Sequence, residues 1–283
     1  MTTDIIDARV RLPRQFWPKI EVPAAIAGQY DAVLGTGATK AKTFDDLLGE
    51  MEANGVSRAL MHAEFEVGDP ADAMNEAVAR IVRENDGRFL GVGGVSLEHV
   101  SISRLIGQVE WCRDAGFVGL GLQPAFFGMS LDDRRLYPLY ARAEQLGLIV
   151  FLHTGVNYSR MHPMRHDQPL LIDDIACDFP ELRIVACHAG WPWVSEMVAV
   201  ARKHPTVFLE FGGLAPKYLA AEGTGWDVMF RYMNSLLSDQ ILYGTDWPVI
   251  GMERGVTEWQ GLGLKEAVLE KAFAGNAKRL FGL

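Results

Sequence analysis

The chain has 283 residues, of which 49% are hydrophobic and 22% are charged, the composition of an ordinary globular protein. Its formal net charge of −9 argues against nucleic acid or an anionic membrane surface as the main partner. No apolar run is long enough to span a bilayer, and the first residues lack the pattern of a signal peptide, so we expect a cytoplasmic protein.

The three cysteines carry no visible motif. Cys112, Cys177 and Cys187 have neither the spacing of a disulfide framework nor that of a zinc site. We therefore interpret all three as small, buried apolar residues in a reducing compartment.

Strand-like apolar segments alternate with helix-like ones along the chain. A capping pattern of Thr43 with Asp46 predicts where the first of these helices begins, and the last helix is expected over Leu264–Leu280. The strand-like stretches are 5–10, 56–63, 89–95, 117–122, 148–155, 182–193, 207–211 and 241–249. Eight such alternations predict a single α/β domain over residues 1–283, a (β/α)8 TIM barrel. A doubly wound open sheet is disfavoured because no glycine-rich dinucleotide turn follows the first strand.

Two long connections are candidates for contact with a ligand. The Pro-, Gly- and Ala-rich stretch 12–42 is predicted to be a loop and a candidate lid, on which Tyr30 is a potential substrate contact. The basic loop 157–168 contains Arg165, which could close over an anionic substrate. A packed aromatic and a solvated surface loop are the competing interpretations.

Three strand-like stretches end on an ionisable residue, namely His153, His188 and Asp246. In a parallel barrel, the carboxyl ends of the strands meet at one mouth, so these side chains are expected to converge there. Two imidazoles and a carboxylate can hold a transition metal or share proton transfers. His62 near the end of the second strand is a further candidate for lining the mouth.

The same segments resemble a known group of enzymes. The motifs LHTG, CHAGWPW, YGTDWPV and the closing GNAKRLFGL resemble the amidohydrolase-related family of the amidohydrolase superfamily, from Ile5 to the C-terminus. That family includes metal-dependent carboxylate decarboxylases and lactone hydrolases. The resemblance implies functional positions at His153, His188 and Asp246, with Asp246 accepting a proton from water or substrate, and it suggests a homodimer.

The first strand departs from the family pattern. The family usually reads Ile-Asp-x-His-x-His there, and its histidines bind the metal, whereas this chain has Arg9 and Arg11 at those positions. Arginine stays protonated and cannot ligate a metal. Residues i and i+2 of a strand face the same side, so both arginines are expected in the barrel mouth. Two interpretations stay open: an anchor for a substrate carboxylate or enolate oxygen, and a structural network with Asp246 or Glu64.

The leading hypothesis is a hydrolase of a small carboxylated substrate, such as a lactone of aromatic catabolism. In it Asp246 activates water, His153 and His188 position the water or polarise the carbonyl, and Arg9 and Arg11 bind the substrate carboxylate. No cofactor is expected. The alternatives are a non-oxidative decarboxylase of an aromatic acid, with zinc or manganese on His153, His188 and Asp246, and a catalytically silent anion-binding barrel.

Overall fold

The computed structural model describes residues 4–20 and 42–283, together with the isolated positions Ala24, Gly28 and Ala32. Its eight parallel strands are hydrogen-bonded in sequence order. They are β1 (Ile5–Arg11), β2 (Val56–His62), β3 (Phe89–Gly94), β4 (Gly119–Leu122), β5 (Ile149–His153), β6 (Ile184–Cys187), β7 (Val207–Glu210) and β8 (Ile241–Leu242).

Helices connect the strands and surround them. In the described part of the chain they are α1 (Phe44–Ala53), α2 (Ala71–Glu84), α3 (Ile102–Asp114), α4 (Tyr137–Leu146), α5 (Leu170–Asp178), α6 (Val194–Lys203), α7 (Asp227–Met233), α8 (Met252–Gln260), α9 (Glu266–Glu270) and α10 (Asn276–Phe281). None of the described helices is long and apolar enough to cross a membrane.

The first and last strands meet and close the barrel. The backbone N–H of Arg11 donates to the carbonyl of Trp247 at 2.9 Å, and the N–H of Asp246 donates to the carbonyl of Arg9, also at 2.9 Å. Trp247 forms a parallel bridge with Val10. These contacts confirm the predicted TIM barrel and bring the segment after β8 directly beside the end of β1.

Alternate residues of the strands fill the barrel. An inner cluster gathers apolar side chains from β1, β2, β3, β5, β6, β7 and β8. The C-terminal helix packs against one end of this cluster through Ala277 and Leu280, and the ring of Phe281 stacks on Phe151 with centroids 6.1 Å apart. A second, larger cluster lies between strands and helices. The polar strand ends are therefore left at the opposite end of the barrel.

Several boundaries differ from the sequence-based expectations. The capping box of Thr43 with Asp46 is present, as predicted. Strand β8 is only two residues long, and helix α8 was not predicted. The proposed loop 12–42 lies largely outside the described residues, and so does Tyr30; the three described positions between residues 20 and 42 have helical backbone. The candidate lid therefore stays a prediction.

Candidate active site

A β-bulge at the end of β1 shapes one side of the site. Asp7 pairs with Ala59 and Val10 pairs with Met61, so two residues of β1 face a single residue of β2. A bulge of this kind re-aims side chains and increases local twist. As a result Arg9 lies inside the barrel, where it is 1% exposed.

Asp246 lies in a tight turn that is held from β1. Thr245 donates to Asp7 from its backbone N–H at 3.0 Å and from its hydroxyl at 2.6 Å, and the N–H of Trp247 donates back to the Thr245 hydroxyl at 3.0 Å. Asp246 itself adopts a left-handed backbone with φ of 54°. Such a conformation is costly for a residue other than glycine, and it is typical of functional positions that the fold holds in place.

His188 occupies a similar strained turn after β6. Its φ is 61°, and the following Ala189 has a φ of 46°. The hydroxyl of Thr154 donates to the carbonyl of Cys187 and accepts from the N–H of Gly190 at 3.1 Å, which ties this turn to the end of β5. Two of the three predicted strand-end residues are therefore held in conformations that the fold must enforce.

Each histidine is fixed in one tautomer by a partner that can only accept. His188 Nδ1 lies 2.6 Å from the carbonyl oxygen of Gly212, so this nitrogen carries the proton. His153 Nδ1 lies 3.1 Å from Oδ1 of Asp167, and the amide of Asn157 donates to Oδ2 of the same carboxylate at 2.7 Å. Both histidines thus keep an Nε2 lone pair that these bonds do not use.

Asp167 was not predicted from the sequence. It lies 14 residues after His153, in the loop that was singled out for its basic residues, and its side chain is completely buried. The predicted contact of the same loop, Arg165, is exposed. An acidic residue inside an otherwise basic loop was the available signal, and only the fold reveals its partner.

The three predicted residues converge, as expected for ends of neighbouring strands. The imidazole rings of His153 and His188 have centroids 4.9 Å apart in an edge-to-face arrangement. A Cβ added to Gly213, which has a φ of 71°, would stand 3.2 Å from Oδ2 of Asp246 and 3.2 Å from Nδ1 of His188. A side chain at this position would press on both the carboxylate and the imidazole, and the left-handed backbone also favours glycine.

The two arginines form an ion-pair network with carboxylates of the site. Arg9 Nε and Arg11 Nε both donate to Oδ1 of Asp246, at 3.1 and 2.8 Å. Arg9 Nη2 lies 2.6 Å from Glu64, and Arg11 Nη1 lies 2.5 Å from Glu66. Neither bond to Asp246 uses Oδ2. The side chain of Arg11 is 22% exposed, so it is the more accessible of the two guanidinium groups.

Burial and the arginine charges shift the pKa values of Asp246 and His188. Burial by itself raises the pKa of Asp246, but the Arg11 and Arg9 charges outweigh it and hold this pKa well below the usual range. Burial, reinforced by the Arg9 charge, lowers the pKa of His188 far below 6.5. At neutral pH the site therefore combines an ionised carboxylate with a neutral His188 imidazole.

Two further buried groups are neutral for the same reason. Burial raises the pKa of Glu210 to about 8, and it lowers the pKa of His62 to about 3. Burial also raises the pKa of the Cys187 thiol well above its ordinary value, which makes this cysteine a poor nucleophile.

The three predicted residues do not form a compact set of ligand atoms in the described structure. Among the described residues, candidate ligand atoms of three side chains come within 4.8 Å of one another at Asp173, Cys177 and His204, not at His153, His188 and Asp246. Arginine cannot ligate a metal, and here two arginines occupy Oδ1 of Asp246.

The prediction that all three cysteines are buried is wrong for Cys177, which belongs to the group Asp173, Cys177 and His204. Cys177 is exposed, not buried as predicted, while Cys112 and Cys187 are buried. The buried residues of α5 are Ile172, Ile175 and Ala176, so Cys177 falls on its outer side. The ammonium of Lys203 lies 2.8 Å from Asp173 and already supplies a cation to this cluster.

Comparison with known proteins agrees with this architecture. A curated relative, 2-amino-3-carboxymuconate-6-semialdehyde decarboxylase of Dictyostelium discoideum, is 33% identical over 86 residues, which is 30% of this chain and only 23% of that protein. An uncharacterized TIM-barrel protein from Bordetella bronchiseptica superposes with a TM-score of 0.82 at 29% identity, over 99% of this chain and 98% of that one.

Solved structures below 25% identity share the fold. The 5-carboxyvanillate decarboxylase of Sphingomonas paucimobilis has a TM-score of 0.74 at 16% identity, over 99% of both chains. A probable 2-pyrone-4,6-dicarboxylic acid hydrolase from Acinetobacter baumannii has a TM-score of 0.64 at 15% identity, over 99% of this chain and 100% of that one. A dihydroxybenzoic acid decarboxylase from Polaromonas contains bound manganese; its TM-score is 0.72 at 15% identity, over 99% of this chain and 97% of that one.

The sequence profile of the amidohydrolase family matches residues 6–283, nearly the whole chain. The barrel, the strand-end residues and this match lead to one conclusion: the chain belongs to the amidohydrolase family.

Proposed function

We propose that the protein is a hydrolase that opens small carboxylated lactones of the kind formed in aromatic catabolism, without a metal. One observation carries the proposal. Both Nδ1 atoms of His153 and His188 are engaged by acceptors, so these bonds leave Nε2 of each ring unused, in the same site as an Asp246 carboxylate that is ionised at neutral pH. In this arrangement the ionised carboxylate and the neutral His188 ring can both accept hydrogen bonds from a water molecule.

In the proposed reaction, Oδ2 of Asp246 accepts a hydrogen bond from water and orients it toward the lactone carbonyl carbon. The water oxygen forms a bond to this carbon, and its proton passes to the pair formed by Asp246 and Nε2 of His188. The carbonyl π electrons move to oxygen. The electrons on this oxygen then re-form the carbonyl as the ring C–O bond breaks, and the departing oxygen takes the proton. Since the pKa values of both protein groups are lowered, they hold the proton only transiently.

Arg9 and Arg11 have different roles in the proposed reaction. Arg9 is buried against Asp246 and Glu64, so its role is to keep the catalytic carboxylate ionised and oriented. Arg11 is partly exposed, and its guanidinium is suited to a substrate carboxylate or to the oxyanion that develops during attack. His153, oriented by Asp167, is suited to polarising the carbonyl or positioning the water.

Decarboxylation of an aromatic acid is the second candidate. The curated relative and several structural neighbours are decarboxylases, some with manganese. Here His188 and Asp246 would together handle the proton that replaces carbon dioxide on the ring carbon. The family pattern has metal-binding histidines where this chain has Arg9 and Arg11, and for this reason hydrolysis is placed first.

The test is turnover of 2-pyrone-4,6-dicarboxylate and 2,6-dihydroxybenzoate by purified protein in ¹⁸O-labelled water. Hydrolysis predicts ring opening, with one labelled oxygen in the product and no carbon dioxide. Release of carbon dioxide, with no ¹⁸O incorporated into the organic product, would favour decarboxylation. If carboxylated lactones and hydroxybenzoates are bound but neither is turned over, the protein is a silent binding barrel. Asp246→Asn should lower turnover by about 10²-fold or more, whereas the exposed control Asp174→Asn should leave it unchanged.

A further inference from the structure

Gln123 is a buried amide without a partner at the end of β4. Its side chain is 4% exposed. Among the described residues, neither its Oε1 nor its Nε2 has a hydrogen-bond partner. Buried polar groups in proteins are nearly always paired, and an unpaired one in a native structure calls for an explanation. Proteins accept such a cost mainly at functional sites, where a ligand completes the hydrogen bonds.

The position of Gln123 follows from the strand pattern. A Cβ on Gly119 would stand 2.9 Å from the Phe151 ring, and a Cβ on Gly121 would stand 3.7 Å from Nδ1 of His62. Both of these neighbours belong to the inside of the barrel. Gln123 directly follows Leu122, the last residue of β4, and it precedes the short turn Pro124–Phe127. The pairing of Leu122 with Leu152 then sets Gln123 beside His153.

A second unused acceptor lies on the same wall. His62 Nε2 is 3.0 Å from the carbonyl oxygen of Ala8 and therefore carries the proton. Its Nδ1 has no hydrogen-bond partner among the described residues, although the ring is completely buried. The space next to Gly121 is therefore bordered by a lone pair that lacks a donor.

These groups distinguish among ligand types. Oε1 of Gln123 and Nδ1 of His62 both need a donor, and Nε2 of Gln123 needs an acceptor. A carboxylate has no proton to donate, and a methyl group can neither donate nor accept a hydrogen bond. A hydroxyl both donates and accepts, so it can satisfy the Gln123 amide while staying uncharged, and its single proton serves either Oε1 of Gln123 or Nδ1 of His62. A hydroxyl or enol group on the substrate is thus the complementary partner.

We infer that Gln123, with Nδ1 of His62, forms a neutral subsite for a hydroxyl group on a ring-shaped carboxylic acid, next to His153. The inference rests on the proposed function, because it takes the carboxylated ring as the ligand that enters the barrel mouth. It adds that recognition requires a hydroxyl or enol oxygen on that ring, and it makes Gln123 a residue that determines specificity.

The test is calorimetric titration of benzoate and its 2-, 3- and 4-hydroxy derivatives into the wild type and Gln123→Met, with Gln260→Met as an exposed control. The wild type and the control should bind the best hydroxybenzoate about tenfold more tightly than benzoate. Methionine has a similar volume but no hydrogen-bonding amide, so Gln123→Met should bind benzoate as the wild type does and lose this preference. Its Tm should be unchanged or a few degrees higher, because an unpaired buried amide is removed.

The outcomes separate the two claims. A Gln123→Met variant with a lower Tm and an unchanged preference for the hydroxybenzoate would overturn the subsite, because the amide would then have a partner within the protein. Equal binding of benzoate and all hydroxybenzoates by the wild type would also overturn it, while leaving the carboxylate site intact. If the wild type binds none of these acids, the proposed carboxylate site fails and the subsite fails with it.

Discussion

Replacing Glu210 with glutamine should change how stability depends on pH. Glu210 is completely buried, its Oε1 accepts from the N–H of Gly212, and its Oε2 has no hydrogen-bond partner among the described residues. Burial raises its pKa from 4.5 to about 8. Between these two values the native state holds a proton that the unfolded state has released. The free energy of unfolding therefore falls as pH rises, by about 1.4 kcal/mol per pH unit.

Over the whole interval the loss is roughly 5 kcal/mol, since one pKa unit corresponds to about 1.4 kcal/mol. Glu210→Gln keeps the acceptor for Gly212 and cannot ionise, so it should lack this decline. Urea denaturation at half-unit steps from pH 5 to 9 measures the effect. The variant should gain stability relative to the wild type up to about pH 8 and no further.

Exposed Glu222→Gln is the matched control, and its profile should follow the wild type. Asp7, whose pKa burial raises to about 7, is present in all three proteins and cancels from the comparison. If Glu210→Gln and the wild type show parallel profiles over this pH range, Glu210 is ionised in the folded protein. The assignment of a neutral carboxyl group beside Arg9 would then be wrong.

Three other substitutions test the site. Asp246→Asn leaves two arginines without their shared anion. It should lower kcat by about 10²–10⁴-fold and the free energy of unfolding by about 3 kcal/mol. A variant with near wild-type kcat would exclude Asp246 as the catalytic carboxylate. Asp167→Asn should lower kcat by about 10–100-fold with KM nearly unchanged, because Asp167 no longer fixes the tautomer and orientation of His153. If KM rises by this factor and kcat is unchanged, Asp167 acts in substrate binding instead. Arg11→Leu should raise KM for carboxylated lactones about tenfold or more and leave KM for a neutral lactone unchanged; equal effects on both would refute the anchor.

The convergence of the three strand ends could be predicted from the sequence because it depends on local pattern and on one topological rule. Apolar runs that end on His153, His188 and Asp246 are visible as letters, and parallel strands in a barrel must bring such ends together. The closure of β1 against the segment after β8 then follows from the strand count. Here the apolar pattern of each strand and the topology of the barrel lead to the same site.

The side-chain contacts of the site could be predicted only in part, because the partners are remote in sequence. Arg9 and Asp246 are separated by 237 positions, and the side chain of Arg9 enters the barrel through a bulge that is defined only by pairing with β2. Asp167 belongs to a loop without periodicity, so nothing marked it as the partner of His153. Sequence analysis left open whether the arginines anchor a ligand or form a network; the structure adds the network itself.

Helix α8 was missed for a different reason. Its buried residues Met252, Val256 and Trp259 have helical spacing, but glycines at 251, 255 and 261 resemble loop punctuation. Gly255 is in fact required there, because a Cβ would stand 2.8 Å from the hydroxyl of Tyr243. Tertiary packing on the barrel outweighs the low helix propensity of this segment.

The central claim is that the arginine-clamped Asp246 and the two histidines act without a metal ion. The most direct test combines elemental analysis of the purified protein with turnover of a carboxylated lactone before and after exhaustive chelation. We expect less than stoichiometric zinc and manganese, and a kcat that chelation does not lower and manganese does not raise. Stoichiometric metal, with activity lost on chelation and restored by manganese, would refute a metal-free mechanism and place decarboxylation or metal-assisted hydrolysis first.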